Sequence, residues 1–393
     1  MKHRIIAMLL GLCCLSALFG CSVPEEYRYI NPTEYIAWEP TEAPDPKPEE
    51  PKPTEPPAPR LSARDMVKKM DVNDLVAQLF LVKCPSGGAE KLLREFHVGG
   101  IILSDANLNG ENPDSLRQML EDWQEYAPIP LLVAANEEGG NEVLLSSQEE
   151  FRSEPFGAPR DIYYNGGLAA IRDTENEKAQ LLKRCGNNVN LAPVCDVACE
   201  ESALMADRSL FQTPKTTGKV VATMVRTMQK NQVGAVMKHF PGYGSITLDT
   251  RDGKVTDQRK LAELEEYDLL PFIYGIDAGA GAVMMSHLTV VDMDPAHPVS
   301  LSGKAIQKLR SDLGFEGVIM TDDLQKKAIT DSYSPEKAAV QAIQSGNDMI
   351  ITGWSENMYY AILDAVEDNE IPRDQLEDSV ERIIQWKMDL GLL

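Results

Sequence analysis

The 393-residue sequence predicts a (β/α)8 barrel over residues 61–393, on two regularities of pattern and one rule of chain connection. Short apolar runs recur at 78–83, 98–103, 130–135, 189–194, 234–239, 281–287, 317–321 and 348–352, each of strand length. Amphipathic stretches of helical spacing lie between them, among them 114–126, 216–231, 261–276, 303–313 and 334–345, with 373–390 as the last helix. Eight strands separated by crossover helices close most readily as a parallel barrel, because such connections are right-handed. No second folded domain is expected.

The chain begins with Met1-Lys2-His3-Arg4 and an apolar segment, 5–19, that ends at Gly20-Cys21. That segment is too short to span a membrane stably and reads as a secretory signal over residues 1–20. Leu18-Phe19-Gly20-Cys21 resembles a bacterial lipobox, although Phe19 is bulkier than the small residue usual there. The resemblance implies cleavage before Cys21, lipidation of its thiol, and a protein anchored on the extracellular face of the cell membrane. An ordinary signal peptide cut nearby is the alternative.

Residues 21–60 are rich in Pro, Glu, Thr and Lys, as in Pro44-Asp45-Pro46-Lys47-Pro48-Glu49-Glu50-Pro51-Lys52-Pro53. Such a stretch buries no apolar surface and favours extended polyproline backbone, so it reads as a disordered, semi-rigid tether. Tyr27, Tyr29, Tyr35 and Trp38 offer a small docking patch as a second reading of the same segment.

The remainder is long enough for one large core, with 43% hydrophobic residues in the chain as a whole. A formal net charge of −23 argues against nucleic-acid binding and against direct docking on anionic lipid. Cys84, Cys185, Cys195 and Cys199 lack zinc-type spacing, so no metal is expected; Cys195 and Cys199 are spaced either to pair or to remain thiols.

In a parallel barrel the residues that end the strands share one rim, where a ligand meets them. Here that rim collects Ser104-Asp105, Asn136-Glu137-Glu138-Gly139-Gly140, Asp196, Lys238-His239, Ser286-His287 and Asp322-Asp323, with Asp207-Arg208 and Asp249 from loops. A buried strand, 234–239, running out into Lys238-His239-Phe240-Pro241-Gly242-Tyr243-Gly244 is the centre of the set, unless that stretch is only a surface turn. No Gly-rich phosphate cradle and no basic surplus accompanies these residues, which favours a sugar. A carboxylate nucleophile is what retaining glycoside hydrolysis uses.

Lys238-His239-Phe240-Pro241-Gly242-x-Gly244, Arg208-Ser209 after Asn190-Leu191-Ala192-Pro193-Val194, and Leu309-Arg310-x-x-Leu313-Gly314-Phe315-x-Gly317-Val318-Ile319-x-Thr321-Asp322-Asp323-Leu324 together carry a resemblance. Residues 62–393 resemble the glycoside hydrolase family 3 N-terminal domain, in particular the NagZ-like β-N-acetylhexosaminidases. The resemblance implies a monomeric, cofactor-free enzyme that removes terminal β-linked N-acetylglucosamine from amino-sugar glycans such as peptidoglycan fragments. It places the nucleophile on Asp322 and sugar-binding groups on Lys238, His239 and Arg208, to which the rim adds Asn136 and Glu138 as substrate-binding candidates. As a local reading, Asp322 also suits a helix N-cap.

The sequence departs from that family where its acid/base histidine would stand, in an Asp-Ser/Thr-His loop that here reads Asp249-Thr250-Arg251. Arginine keeps its proton at ordinary pH and cannot shuttle one. The Asp-Gln-Glu-Gly-Gly-Arg motif reads Asn136-Glu137-Glu138-Gly139-Gly140-Asn141, and the second histidine of the Lys-His loop is Tyr243. Two readings follow. In one the protein is a glycosidase in which Asp249, Asp252 or Glu138 replaces the histidine; in the other it binds a glycan without cleaving it. His287 reads as a core residue.

Overall fold

A computed structural model describes residues 61–393. The signal, lipidation and tether expected over residues 1–60 lie outside the described residues.

Among the described residues twelve strands form: β1 (Phe80–Lys83), β2 (Gly100–Ile102), β3 (Leu132–Ala135), β4 (Glu137–Gly139), β5 (Glu142–Val143), β6 (Val189–Asn190), β7 (Gly234–Phe240), β8 (Val255–Asp257), β9 (Ala282–Met285), β10 (Leu288–Val290), β11 (Val318–Asp323) and β12 (Met349–Gly353). Eight of them close a barrel in the order β1-β12-β11-β9-β7-β6-β3-β2. Every barrel pairing is parallel, with Met237 opposite Val283 and Thr321 opposite Met285. The expected fold class is therefore the observed one.

Near-continuous Val, Ile, Leu and Met runs form these strands because both faces are covered, by side chains inside the barrel and by helices outside. All seven residues of β7 are buried. The helix before it, Pro214–Lys230, shows how an outer element is specified. Thr213 caps it by accepting from the Thr216 N–H at 3.2 Å, Pro214 takes the first turn, and Val220, Val221, Met224, Val225 and Met228 form the buried stripe. At the end opposite the rim the C-terminal helix Arg373–Asp389 brings in Trp386. Its indole lies where a side chain on Gly281 would have to go, only 2.2 Å from an added Cβ.

Expectation and structure part in a few places. The stretch 261–276 forms two helices, Leu261–Glu266 and Leu270–Asp277, because the intervening Asp268 turns inward to Arg259 and Pro271 begins the second helix. The stretch 189–194 pairs as a strand only at Val189–Asn190, with an isolated bridge from Val194 to Lys238. Two small sheets, β4 with β5 and β8 with β10, lie outside the barrel. Of the two states left open for Cys195 and Cys199, the structure has both as thiols, with Cys195 buried.

The run around Arg310 forms a brace. Arg310 pairs with the buried Asp348, which also takes Arg382 at 3.0 Å and the Ile319 N–H at 2.8 Å. This network fixes the entry to β11 and thereby the height at which Asp322 emerges at its other end.

Candidate active site

β11 ends in Asp322-Asp323, and Asp322 is only 7% exposed. Its Oδ1 accepts the Asp323 N–H at 2.7 Å, and its Oδ2 accepts from Lys326 Nζ at 2.5 Å. Burial pushes the Asp322 pKa up, but the Lys326 ammonium beside it holds it well below the usual carboxylate range. Asp322 is thus a buried anion at neutral pH. Lys326 is absent from the residues expected for the site. The only signal for it in the sequence is a spacing of four from Asp322, which becomes a contact once the chain turns after β11.

Behind Asp322, His287 is buried: its Nε2–H donates to the Asp323 carbonyl at 2.8 Å and its Nδ1 accepts from the Ser300 hydroxyl at 2.7 Å. Both ring nitrogens are occupied, which fits the packing role expected of this residue. Lys83, at the end of β1, pairs with Asp323 at 2.7 Å.

β7 delivers Lys238 and His239 to the same rim. Lys238 lies 2.5 Å from Glu138 Oε1 and donates to Asn136 Oδ1 at 3.0 Å. Arg208 grips Glu138 with two bonds, Nη2 to Oε1 at 2.7 Å and Nε to Oε2 at 3.0 Å. Burial raises the Glu138 pKa, yet Lys238 and then Arg208 bring it down to about 2. His239 Nδ1 sits 2.8 Å from Asp196 Oδ2. A carboxylate can only accept, so Nδ1 carries the proton. Burial depresses the His239 pKa against the pull of Asp196, leaving a neutral ring whose Nε2 is an acceptor. Glu137, the neighbour of Glu138, instead turns inward and accepts the Leu144 and Leu145 N–H groups at 3.1 and 2.9 Å, fastening the segment beyond β5.

Gly242 and Gly244 turn the loop that follows β7 at φ of 122° and 54°, where a side chain would be strained and would also strike Asp268 or Arg259. The Tyr243 N–H donates to Asp196 Oδ1 at 2.9 Å, and the Tyr243 hydroxyl meets Thr250 Oγ1 at 2.9 Å. Thr250 is fully buried, and its carbonyl accepts the Ala328 N–H at 3.0 Å. The 249–251 loop is therefore docked against the site through Thr250, with its neighbours directed elsewhere.

Asp249 Oδ2 accepts from Arg251 Nε at 2.7 Å and Nη2 at 2.6 Å, while Oδ1 accepts the Arg251 N–H at 2.7 Å. The Arg251 side chain is 70% exposed. Burial opposes ionisation of Asp249, but the hydrogen bonds from Arg251 prevail and lower its pKa. The structure thus brings Asp322, Lys238, His239, Arg208, Asn136 and Glu138 to one rim and adds Lys326. A replacement for the histidine meets a physical obstacle at two of the expected candidates: Glu138 and Asp249 are both held ionised, so neither carries a proton to give at neutral pH.

Comparison with known proteins bears on the fold and the family. A beta-hexosaminidase from Nitrosomonas eutropha is 33% identical over 259 residues, which is 65% of this chain and 73% of that protein. The solved structure of Mycobacterium tuberculosis LpqI superposes with a TM-score of 0.76 at 26% identity, covering 83% of this chain and 96% of the other. A glycoside hydrolase family 3 β-N-acetylglucosaminidase from Paenibacillus gives a TM-score of 0.77 at 27% identity over 82% of this chain, which spans 63% of that longer one. Residues 71–386 match the family described as Glycosyl hydrolase family 3 N terminal domain. On that match, which covers most of the chain, the chain belongs to glycoside hydrolase family 3.

Proposed function

We propose that the protein is a retaining glycosidase that removes terminal β-linked N-acetylglucosamine from amino-sugar glycans such as peptidoglycan fragments, and that Cys21 anchors it by lipid. The observation that carries the reading is Asp322. It is a buried carboxylate at the end of a barrel strand, held ionised by its bond to the Lys326 ammonium and near enough to Lys238 to favour that residue's charged form. The sugar is suggested by relatives named beta-hexosaminidase and β-N-acetylglucosaminidase.

In this reading Asp322 attacks the anomeric carbon, and the bond to the leaving oxygen breaks with its electron pair moving to that oxygen. Water then attacks the same carbon, and the carboxylate departs from the glycosyl ester. Arg208 and Lys238, held by Glu138, and the free Nε2 of His239 supply donors and an acceptor for hydroxyl groups on one wall. No imidazole stands at Arg251 to protonate the leaving oxygen or to activate water.

A second reading is favoured by that same observation. With Arg251 paired to Asp249, and with Asp249 and Glu138 both ionised, the rim is better furnished for binding than for giving a proton. Incubation with a chromogenic N-acetyl-β-glucosaminide, beside an Asp322→Asn control, separates the two. Release of the chromophore that Asp322→Asn abolishes is expected. Release at equal rates from both proteins would remove Asp322 from the chemistry, and tight binding of the sugar with no release from either would leave only the binding reading.

A further inference from the structure

We propose that Lys326 is a positioning residue for Asp322, one that holds the nucleophile as a free carboxylate and speeds its departure from the glycosyl-enzyme. The inference rests on the reading of Asp322 as nucleophile.

Asp322 lies within reach of three other groups able to carry positive charge, and each is engaged elsewhere. Lys238 is taken by Glu138 and Asn136. His239 turns its Nδ1 to Asp196, and His287 has both nitrogens occupied by Ser300 and the Asp323 carbonyl. Lys326 is the group whose side chain bonds directly to the Asp322 carboxylate, at 2.5 Å, from a position 20% exposed. It comes from the residue that precedes the short helix Lys327–Thr330, so its placement is local to the end of β11.

The consequence differs between the two chemical steps. An ammonium against a carboxylate stabilises the free anion more than the neutral ester, so it favours the states in which Asp322 is free. In the first step it slightly opposes attack. In the second, the water oxygen forms its bond to the anomeric carbon while the bond from that carbon to the Asp322 oxygen breaks. The electron pair returns to the Asp322 oxygen, whose charge the Lys326 ammonium stabilises, and the water proton passes to bulk solvent. Arg251 cannot accept that proton, so help to the departing carboxylate matters more here than in an enzyme with a base in place.

Burst kinetics with an activated aryl N-acetyl-β-glucosaminide, with intact-protein mass spectrometry of quenched enzyme, tests the proposal. The proteins compared are the wild type, Lys326→Met, Lys326→Gln and Lys326→Arg, each checked for folding by its thermal melt. Loss of the charge in the Met and Gln variants should raise the fraction of enzyme carrying a covalent sugar and lower steady-state turnover about tenfold. It should also move the acid limb of kcat/KM to higher pH, because Asp322 is then protonated more easily. Lys326→Arg should restore the acid limb, which a merely structural role for the side chain would not require. Gln keeps a hydrogen bond without charge, so it still tests the proposal should the Met variant fold poorly. An unchanged acid limb and unchanged covalent fraction in both neutral variants, with labelled wild type, overturns the inference and leaves the nucleophile standing. Faster turnover in Lys326→Met overturns it too, marking the ammonium as a plug. No covalent sugar and no cleavage in any protein overturns both the inference and the reading beneath it.

Discussion

Asp322 and Glu138 are both buried carboxylates facing cations, and their partners separate their roles. Asp322 accepts one ammonium and one backbone N–H. Glu138 is clamped by Lys238 and by two bonds from Arg208, so its work is to array those cations along the wall. Arg208→Ala should weaken binding of N-acetylglucosamine by about 1.5–3 kcal/mol, the range for loss of a charged hydrogen bond. It should also let Glu138 take up a proton at higher pH. Glu138 has a depressed pKa in the folded protein, so the stability of its clamp is present above the ordinary carboxylate range and is lost as pH falls towards about 2. In Arg208→Ala that loss should begin at higher pH. Calorimetry and acid-unfolding curves check the two effects, and equal sugar affinity in both proteins would remove Arg208 from the site.

Elements whose burial is two-sided were readable from the sequence, and elements made by turns were not. β7 declared itself by an unbroken apolar run ending in Lys238-His239, and the barrel order follows once eight such runs alternate with helices. The β4–β5 hairpin has strands of three and two residues carrying Glu137, Glu138 and Glu142, too short and too polar to show a period. The break between Leu261–Glu266 and Leu270–Asp277 depends on Asp268 reaching Arg259, a contact that apolar spacing does not report. Lys326 was hidden for a related reason: its spacing from Asp322 means contact only if the chain turns immediately after β11. The 249–251 loop was readable in composition but not in direction. Its docking comes from Thr250 against Tyr243 and Ala328, which is what leaves Arg251 outside and bound to Asp249.

For the molecule as a whole, the proposed lipid anchor and the proposed chemistry are independent and separately testable. Mass spectrometry of the mature N-terminus should find an acylated Cys21; an unmodified N-terminus beyond Cys21 would remove the anchor and leave the barrel untouched. The central claim is that Asp322 forms a glycosyl ester in a site without the histidine acid/base, where Arg251 cannot exchange a proton and Asp249, held ionised by it, has none to give the leaving oxygen. Activated aryl glycosides need little protonation of the leaving oxygen, whereas natural glycosides need a proton delivered in the transition state. The most direct measurement is turnover of both substrate types with and without azide, a nucleophile that needs no deprotonation. The activated substrate should be cleaved far faster than a natural disaccharide, and azide should accelerate its turnover and yield the glycosyl azide with retained configuration. Cleavage of the natural disaccharide at ordinary glycosidase rates, with no effect of azide, would contradict it.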